Sequence, residues 1–470
     1  MSSIGMLTDI SALIEATASG NRDAIVSTAR ALLLTGSTGD VLLGRLGMIA
    51  AHADSDGHAI LIISAAATIC RWQAFAPRPV ETDPNNHEYD LPVVVQALTA
   101  VAPAIRAGQA DTSKYPEPFF PSELPENKTL EQAIDEAIAA KDRVMLERLL
   151  LGLYGTGADY RAMQARIYQG LALTFQREGH PFIFAARGTQ LLDTVEWGDR
   201  VPNILHWMTQ HMIADSEQPA WINDVVTFAN DPANSLAGLR VRLSQPKDTN
   251  ALGLRNLILS DASTPEVCKG VFETLVTKGA SSRATAAMIS QAAADLLQQI
   301  KDEDREGFVQ AAHGLLFASA VHSIFAQVQE VEVLPVLFTA ASYINALRKK
   351  LGQTATAYTA PSTQGVALGG GLIAPTILEG LRDQLHAGEV STAFATATRY
   401  RQLGYDERAL FAMIGLVAAE SDATADEGHS LQIVQAAGEE YQRWPETLGE
   451  TNHDSFLHIA LRAAAFGKRA

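Results

Sequence analysis

Apolar residues recur at intervals of three and four along almost the whole chain, and Ala and Leu fill most of these positions. This spacing places apolar side chains on one face of an α-helix, whereas the strict alternation that marks a half-buried β-strand is scarce. The pattern therefore predicts an all-α protein.

Four stretches of the chain repeat one order of elements: helix, short turn, helix, Gly-containing turn and long apolar helix. In three of them the second turn ends in Gly-His, and in the remaining one Gly279-Ala280 stands at that place. The histidines of these three turns are His58, His180 and His429. We interpret the fold as four degenerate helical repeats that form a closed helical bundle or a short solenoid.

Glycine suits the turns because it adopts positive φ without steric cost. Asp40, Asp159 and Asp406 follow the first turn of their units and are predicted to cap the next helix.

Two segments interrupt the repeats. A Pro-rich linker is predicted at residues 107–128, and a Gly/Thr-rich linker at 351–375 contains three consecutive glycines, Gly369 to Gly371. The second segment is either a passive connection or a mobile flap. The predicted repeats span residues 1–106, 129–218, 219–350 and 376–470.

Composition narrows the class of protein. A chain of 470 residues is too long for one ordinary core, and its net charge of −17 disfavours nucleic acid, which needs clustered Lys and Arg. Two distant cysteines exclude a disulfide framework and are expected to be buried thiols. We find no signal peptide and no apolar run of 18 residues, so we expect a cytoplasmic protein without a membrane partner.

A second set of histidines closes the later units, at His206, His313 and His458. No two histidines are four apart on one helical face, as a zincin-type pair would be. A metal site would therefore be assembled between helices, and units packed around a common axis would bring their imidazoles together. Structural histidines and metal-free acid–base groups are the alternatives.

Charged residues near these helices are candidate partners. Glu440 lies 11 residues after His429, within about 20° on the same helical face, and its alternative is an exposed charge. Arg187, inside the apolar helix after His180, is either a clamp for an anionic group or a surface side chain. The other acidic candidates are Glu420, Asp193, Asp295 and Asp54. Asp54 and Asp56 are expected to cap a turn.

Residues 149–158 read Leu-Leu-Leu-Gly-Leu-Tyr-Gly-Thr-Gly-Ala, and residues 179–183 read Gly-His-Pro-Phe-Ile. Together they resemble the questin oxidase-like family, which is helical and carries a His-His-Leu-Leu-x-Leu-Tyr-x-x-Gly-Ala stretch. The doubled histidine is replaced here by Arg148 and Leu149. The resemblance covers about a tenth of the chain and implies an oxygenative enzyme that acts on a hydrophobic small molecule.

These observations lead to one functional hypothesis and its alternatives. We expect a metal-dependent oxidoreductase for a small, largely apolar molecule, with a redox partner or a second copy as further partners. Iron is the expected metal, and zinc, copper and haem are alternatives. The predicted metal ligands are His58, His180, His206, His313, His429 and His458, and the predicted catalytic residues are Arg187 and Glu440. The alternatives are a non-catalytic helical repeat that binds a protein partner and a binder of small ligands.

Overall fold

The structure is a computed structural model. It describes residues 9–77, 83, 85–157, 160–194, 201–213, 216–241, 246–328, 330–353, 359–361, 373–420, 428–449 and 453–466. The described residues form helices and connecting turns and contain no β-strand, which confirms the all-α class.

The helices are as follows in chain order. The first predicted repeat contains α1 (Ser11–Ser19), α2 (Arg22–Leu34), α3 (Gly39–Ala50), α4 (His58–Gln73) and α5 (Leu91–Ala110). The second contains α6 (Leu130–Ala139), α7 (Arg143–Gly155), α8 (Tyr160–Leu171), α9 (His180–Thr194) and α10 (Val201–Met212). The third contains α11 (Trp221–Asn230), α12 (Leu254–Ile258), α13 (Thr264–Phe272), α14 (Ser282–Gln299), α15 (Arg305–Ile324) and α16 (Val336–Lys350). The fourth contains α17 (Ala374–His386), α18 (Val390–Gln402), α19 (Glu407–Ala419), α20 (His429–Gln442) and α21 (Asp454–Phe466).

Four long helices from different parts of the chain pack in a cycle. Helix α4 contacts α9, α9 contacts α15, α15 contacts α20, and α20 contacts α4. All four are buried along most of their length, because apolar or small residues occupy nearly every face. The other helices cover this central group, and α5, for example, packs against both α3 and α4.

The predicted helix caps are confirmed at one of three positions. Asp406 is the N-cap of α19, and its side chain accepts a hydrogen bond from the Arg408 amide. The N-cap of α3 is instead Thr38, and Asp40 lies in the first helical turn, where its carboxylate contacts the Thr38 hydroxyl. Asp159 lies outside the described residues.

The Pro-rich linker begins inside a helix, because α5 continues to Ala110. The rest of the linker is anchored on α7. Phe119 N–H donates to the carbonyl of Arg148, and the Arg148 guanidinium donates to the carbonyl of Glu117. In the Gly/Thr-rich segment the three glycines Gly369 to Gly371 lie outside the described residues.

Among the described residues, one stretch, Glu88–Ala110, is long and apolar enough to cross a membrane by length and composition, and 56% of its apolar window is buried inside the protein. Core helices pass the same test, and α5 contacts α1, α2, α3 and α4. Both cysteines, Cys70 and Cys268, are free thiols in the interior, as the sequence predicts.

Candidate functional site

Four imidazole rings meet where the four central helices come together. Their ring centroids are 5.4 Å apart for His58 and His180, 5.0 Å for His180 and His313, 4.9 Å for His313 and His429, and 6.0 Å for His429 and His58. Each ring therefore neighbours two others in a closed cycle, which we call the imidazole ring cluster. Three of its members are the Gly-His histidines, and His313 comes from within α15.

Glycine turns set the position of three of these imidazoles. Gly57, Gly179 and Gly428 precede the first residues of α4, α9 and α20 and have φ of 88°, 87° and 75°. A Cβ at these glycines would lie 2.5 Å from Phe184, 2.4 Å from Phe317 and 2.4 Å from Ile62, respectively. Each contacted residue lies four positions after a cluster histidine on the next central helix. Positive φ and close packing therefore both require glycine here.

The turn before His180 is strained. Arg177 and Glu178 have φ of 44° and 56°, and Gly179 follows at 87°, so three consecutive residues occupy the left-handed region. Non-glycine residues adopt this region at a cost of roughly 1–3 kcal/mol each, and such strain concentrates at functional sites. The turn places the Glu178 carboxylate 3.0 Å from Nδ1 of His313.

Oxygen acceptors lie beside Nδ1 of His58, His180 and His313. Nδ1 of His180 faces the carbonyl of Arg177, and Nδ1 of His313 lies 2.9 Å from the carbonyl of Val309. Nδ1 of His58 lies 3.3 Å from the Asp56 carboxylate. A carbonyl acceptor places the proton on Nδ1, so Nε2 of His180 and of His313 keeps its lone pair.

Burial also keeps two of the imidazoles uncharged. It lowers the pKa of His180 to about 4 and the pKa of His313 to about 3, and the neighbouring histidines lower both pKa values further. These two rings are therefore neutral near pH 7, which is the form of imidazole that binds metal ions.

The spacing of the rings approaches that of a metal site without reaching it. Nitrogen ligands at about 2.0–2.1 Å from a metal lie roughly 3.0–3.4 Å from one another, and Nε2 of His313 is 3.2 Å from Nε2 of His429. Within the described ranges, however, no three His, Cys, Asp or Glu side chains form a group that could hold a metal ion as they stand. The two longest centroid distances of the cluster both involve His58.

A cavity of about 430 Å³ reaches His58 from the side of α5. Ala59 and Ile62 of α4 line it together with Ala100, Ala104 and Ala107 of α5. Small and apolar side chains thus form most of its wall, while Asp54 and Asp56 lie at one edge. We call it the α4–α5 cavity.

The turn at Asp54 and Asp56 is capped as the sequence predicts. Asp56 accepts a hydrogen bond from the His58 amide, and Asp54 accepts hydrogen bonds from the Ala59 and Ile60 amides. Burial raises the pKa of the Asp54 carboxyl to about 6.

Two of the six predicted ligands lie outside the cluster. His206 on α10 places Nδ1 2.8 Å from the carboxylate of Glu147 on α7. The imidazole of His458 on α21 packs on the Phe394 ring, 5.4 Å between centroids, and burial lowers its pKa to about 4.

The two residues predicted to be catalytic lie further along the central helices. Arg187 is buried and binds the carboxylate of Glu439 at 2.7 Å, so its anionic partner is within the protein. Burial opposes ionisation of Glu439, but Arg187 and Arg443 outweigh it and lower its pKa to about 2. Glu440 is fully buried, not exposed, and lies about three helical turns from His429. Its Oε2 pairs with Nδ1 of His322 at 2.8 Å.

Two more of the acidic candidates have partners outside the cluster. Asp295 pairs with Arg255, and Glu420 pairs with Arg382 and His386. Sequence reasoning missed His322 and Glu147, both buried on apolar helices. The available signal was the same for both, a titratable residue within a Leu- or Ala-rich helical face.

Comparison of the chain with protein-family models, with curated proteins and with solved structures finds no match.

Proposed function

We propose that the chain is a metal-dependent oxidoreductase whose metal ion binds to the imidazole ring cluster of His58, His180, His313 and His429. The observation that carries the proposal is the convergence of these four imidazoles from four different helices. An isolated structural histidine needs only one hydrogen-bond partner, whereas four imidazoles in a closed cycle, each beside two others, point to a shared ligand.

The proposed donor set consists of nitrogen atoms. Imidazole suits iron, zinc, copper and nickel, and the Nδ1 acceptors resemble the outer partners that orient metal-binding histidines. Iron is our first choice because the questin oxidase-like resemblance implies oxygenative chemistry. A bound metal would supply Lewis-acid or one-electron chemistry at this position. We propose a single ion and not haem, because rings 4.9–6.0 Å apart leave no space for a macrocycle between them.

Residues of the chain orient the imidazoles of the cluster and complete the donor set. Arg177 and Val309 carbonyls hold the protons on Nδ1 of His180 and His313 and so direct lone pairs from Nε2. The His58 ring has to move inward to complete the cluster. Since it also lines the α4–α5 cavity, a substrate in that cavity would lie beside the metal.

The cavity wall supports a small and largely apolar substrate. Alanine and isoleucine side chains give it little capacity for hydrogen bonds, while the aspartates at its edge contact backbone amides. The cyclic packing of α4, α9, α15 and α20 supports four degenerate repeats in a closed bundle. In this arrangement the third repeat departs from the others, because its histidine lies in α15 and not at a Gly-His turn.

Elemental analysis of the purified protein tests the proposal. We expect about one equivalent of iron, zinc or copper per chain in the wild type and its loss in His180→Ala and in His313→Ala. A bound metal ion should also make the cluster imidazoles harder to protonate at low pH, because imidazole that coordinates a metal resists protonation.

His458→Ala is the matched control, since this half-buried histidine lies outside the cluster and should leave the metal content unchanged. A wild type that binds no added Fe²⁺, Zn²⁺ or Cu²⁺ and keeps its melting temperature in chelator would exclude the metalloenzyme. A non-catalytic helical repeat that binds a protein partner would then describe the chain better. A Soret band would instead assign haem.

A further inference from the structure

A second cavity of about 580 Å³ lies on the other side of the turn that follows α3. It shares Ala53, Asp54 and Ser55 with the α4–α5 cavity but contains none of the four cluster histidines. We call it the His206 cavity. The other polar side chains in its wall are His52, Arg143, Arg177, His206, Gln210 and His211.

A histidine–carboxylate pair reaches this cavity from α7 and α10. Oε1 of Glu147 lies 2.8 Å from Nδ1 of His206, and the Glu147 side chain is only 3% exposed. An ionised carboxylate can only accept a hydrogen bond, so the neutral His206 ring carries its proton on Nδ1 and keeps a lone pair on Nε2. Nε2 has no hydrogen-bond partner among the described residues. A buried carboxylate therefore orients a basic nitrogen in a ring that lines the cavity.

The other two imidazoles of the wall have different partners. Nε2 of His52 lies 2.9 Å from the Tyr115 hydroxyl, and Nε2 of His211 lies 2.7 Å from the carbonyl oxygen of Asp54. In these contacts neither ring is paired with a carboxylate. His206 is thus the histidine of this wall that has an acid behind it, which is the arrangement that orients a catalytic base.

The fixed charges around the cavity balance one another. Arg143 and Arg177 contribute two guanidinium groups, and the carboxylates are those of Asp54 in the wall and Glu147 behind His206. Burial raises the pKa of Asp54 to about 6, which still leaves most of this carboxyl ionised at pH 7. A cavity with two positive and two negative groups suits a neutral polar molecule better than an ion.

We propose that His206 is the general base of a second, metal-free active site that hydrolyses a small neutral ester. His206 would act directly on the reacting water, and Glu147 is a positioning residue that holds the ring and its tautomer. The proposal does not rest on metal binding at the imidazole ring cluster, because none of the cluster histidines lines this cavity.

The reaction needs only water as a second reactant. Nε2 of His206 removes a proton from a water molecule while the water oxygen forms a bond to the carbonyl carbon of the ester. The bond between that carbon and the alcohol oxygen then breaks, and the imidazolium returns its proton to the alcohol oxygen. The products are a carboxylic acid and an alcohol. Arg177 and Gln210 of the same wall are the N–H donors for the carbonyl oxygen, where negative charge develops.

Several groups set the pKa of His206. The hydrogen bond to Glu147 raises it most, burial opposes this effect, and Asp111 after α5 raises it further. The other titratable or charged groups around the cavity are Arg143 of α7, His52 and Asp54 of the turn after α3, Tyr115 after α5, Arg177 before α9 and His211 of α10. Replacement of Glu147 by a neutral side chain should therefore make His206 a weaker base.

Hydrolysis of phenyl acetate by the full-length protein, freed of metal by chelator, tests the proposal. We expect repeated turnover at a rate that rises with pH through the His206 pKa and then levels off, because the neutral imidazole is the base. The rate should be lower in D₂O, since a proton moves in the hydrolytic step. 4-Acetoxybenzoate, which adds a carboxylate to the same ester, should react more slowly, and a faster reaction would overturn the neutral substrate class.

Two conservative variants separate catalysis from folding, which circular dichroism monitors. His206→Asn keeps a donor toward Glu147 but lacks Nε2, and it should lower the rate by about 100-fold or more. Glu147→Gln should lower the plateau rate and move the inflection of the pH profile to lower pH, which a merely structural role would not do. His458→Ala should react as the wild type does.

The proposal is overturned if the wild type shows no turnover, or if folded His206→Asn is as active as the wild type. It is also overturned if the inflection stays in place in folded Glu147→Gln. If Glu147→Gln does not fold, the rate of His206→Asn decides alone. Loss of metal binding in His180→Ala without loss of ester hydrolysis would show that the two proposed sites work independently.

Discussion

Gly428→Ala adds one methyl group to the turn in front of His429, and the structure offers a matched control for it. Gly428 has φ of 75°, and a Cβ there would lie 2.4 Å from Cγ1 of Ile62 on α4. Gly404 has nearly the same φ, 76°, but a Cβ there would meet no heavy atom within 4 Å. Both substitutions therefore place an alanine at positive φ, and only Gly428→Ala also creates a steric clash.

The two glycine substitutions should differ in their effect on the free energy of unfolding. An alanine forced into the left-handed region costs roughly 1–2 kcal/mol, so Gly404→Ala should lower the free energy of unfolding by about that amount. Overpacking of a well-filled interior adds about 1–3 kcal/mol, which brings Gly428→Ala to roughly 2–5 kcal/mol. Ile62→Ala removes the atoms that the new methyl would meet, so the double variant should be destabilised by less than the sum of both single variants.

Urea unfolding followed by circular dichroism measures these differences, with the metal removed from every sample. Equal destabilisation by Gly428→Ala and Gly404→Ala would refute the reasoning, because it would show that α20 and α4 do not approach each other at this turn. Metal content gives a second comparison. It should fall only in Gly428→Ala, since only this change displaces a cluster histidine.

Two further predictions concern buried charge. Arg187→Met leaves the buried Glu439 carboxylate with the partly exposed Arg443 as its remaining guanidinium partner and should cost up to about 3–5 kcal/mol in the free energy of unfolding. Because the pKa of Glu439 in the folded protein is about 2, below its ordinary 4.5, this pair stabilises fully above pH 4.5. That contribution should be lost as the pH falls from 4.5 toward 2 in a series of urea midpoints, and Glu439→Gln should remove this dependence. The pKa values of His180 and His313, about 4 and 3, also lie below the ordinary 6.5. Their contribution is therefore complete above pH 6.5 and declines toward pH 4 and 3, so the metal-free protein should lose stability in this range. The double variant His180→Gln with His313→Gln should lose less, and an unchanged decline would contradict the assignment.

The repeated Gly-His turns were enough to find three of the four converging imidazoles. All three positions have a local signal, because a turn glycine followed by the start of an apolar helix can be recognised in a short stretch of sequence. His313 was also among the predicted residues, but nothing local showed that it, and not His206 or His458, would complete the cluster. That outcome depends on which helix of each unit reaches the centre.

The partners of charged side chains were less predictable. Arg187 and Glu439 are 252 residues apart in the sequence, and Glu147 and His206 are 59 apart. Such pairs form because a charged residue on a buried helical face needs a partner of opposite charge. The sequence shows the charged residue but not which residue is its partner. The prediction for Asp40 was wrong by two residues. Thr38 is the N-cap of α3, and Asp40 lies in the first helical turn.

Three helices, α4, α9 and α20, begin at a histidine of the cluster. The peptide dipoles of each helix sum to roughly half a positive charge at its first turn, so three such ends raise the electrostatic potential at one point. This positive potential disfavours protonated imidazole and withdraws electron density from a group bound at the cluster. We therefore expect that a metal ion at this point would be accompanied by an anionic ligand, such as hydroxide or an ionised substrate oxygen, that neutralises the field.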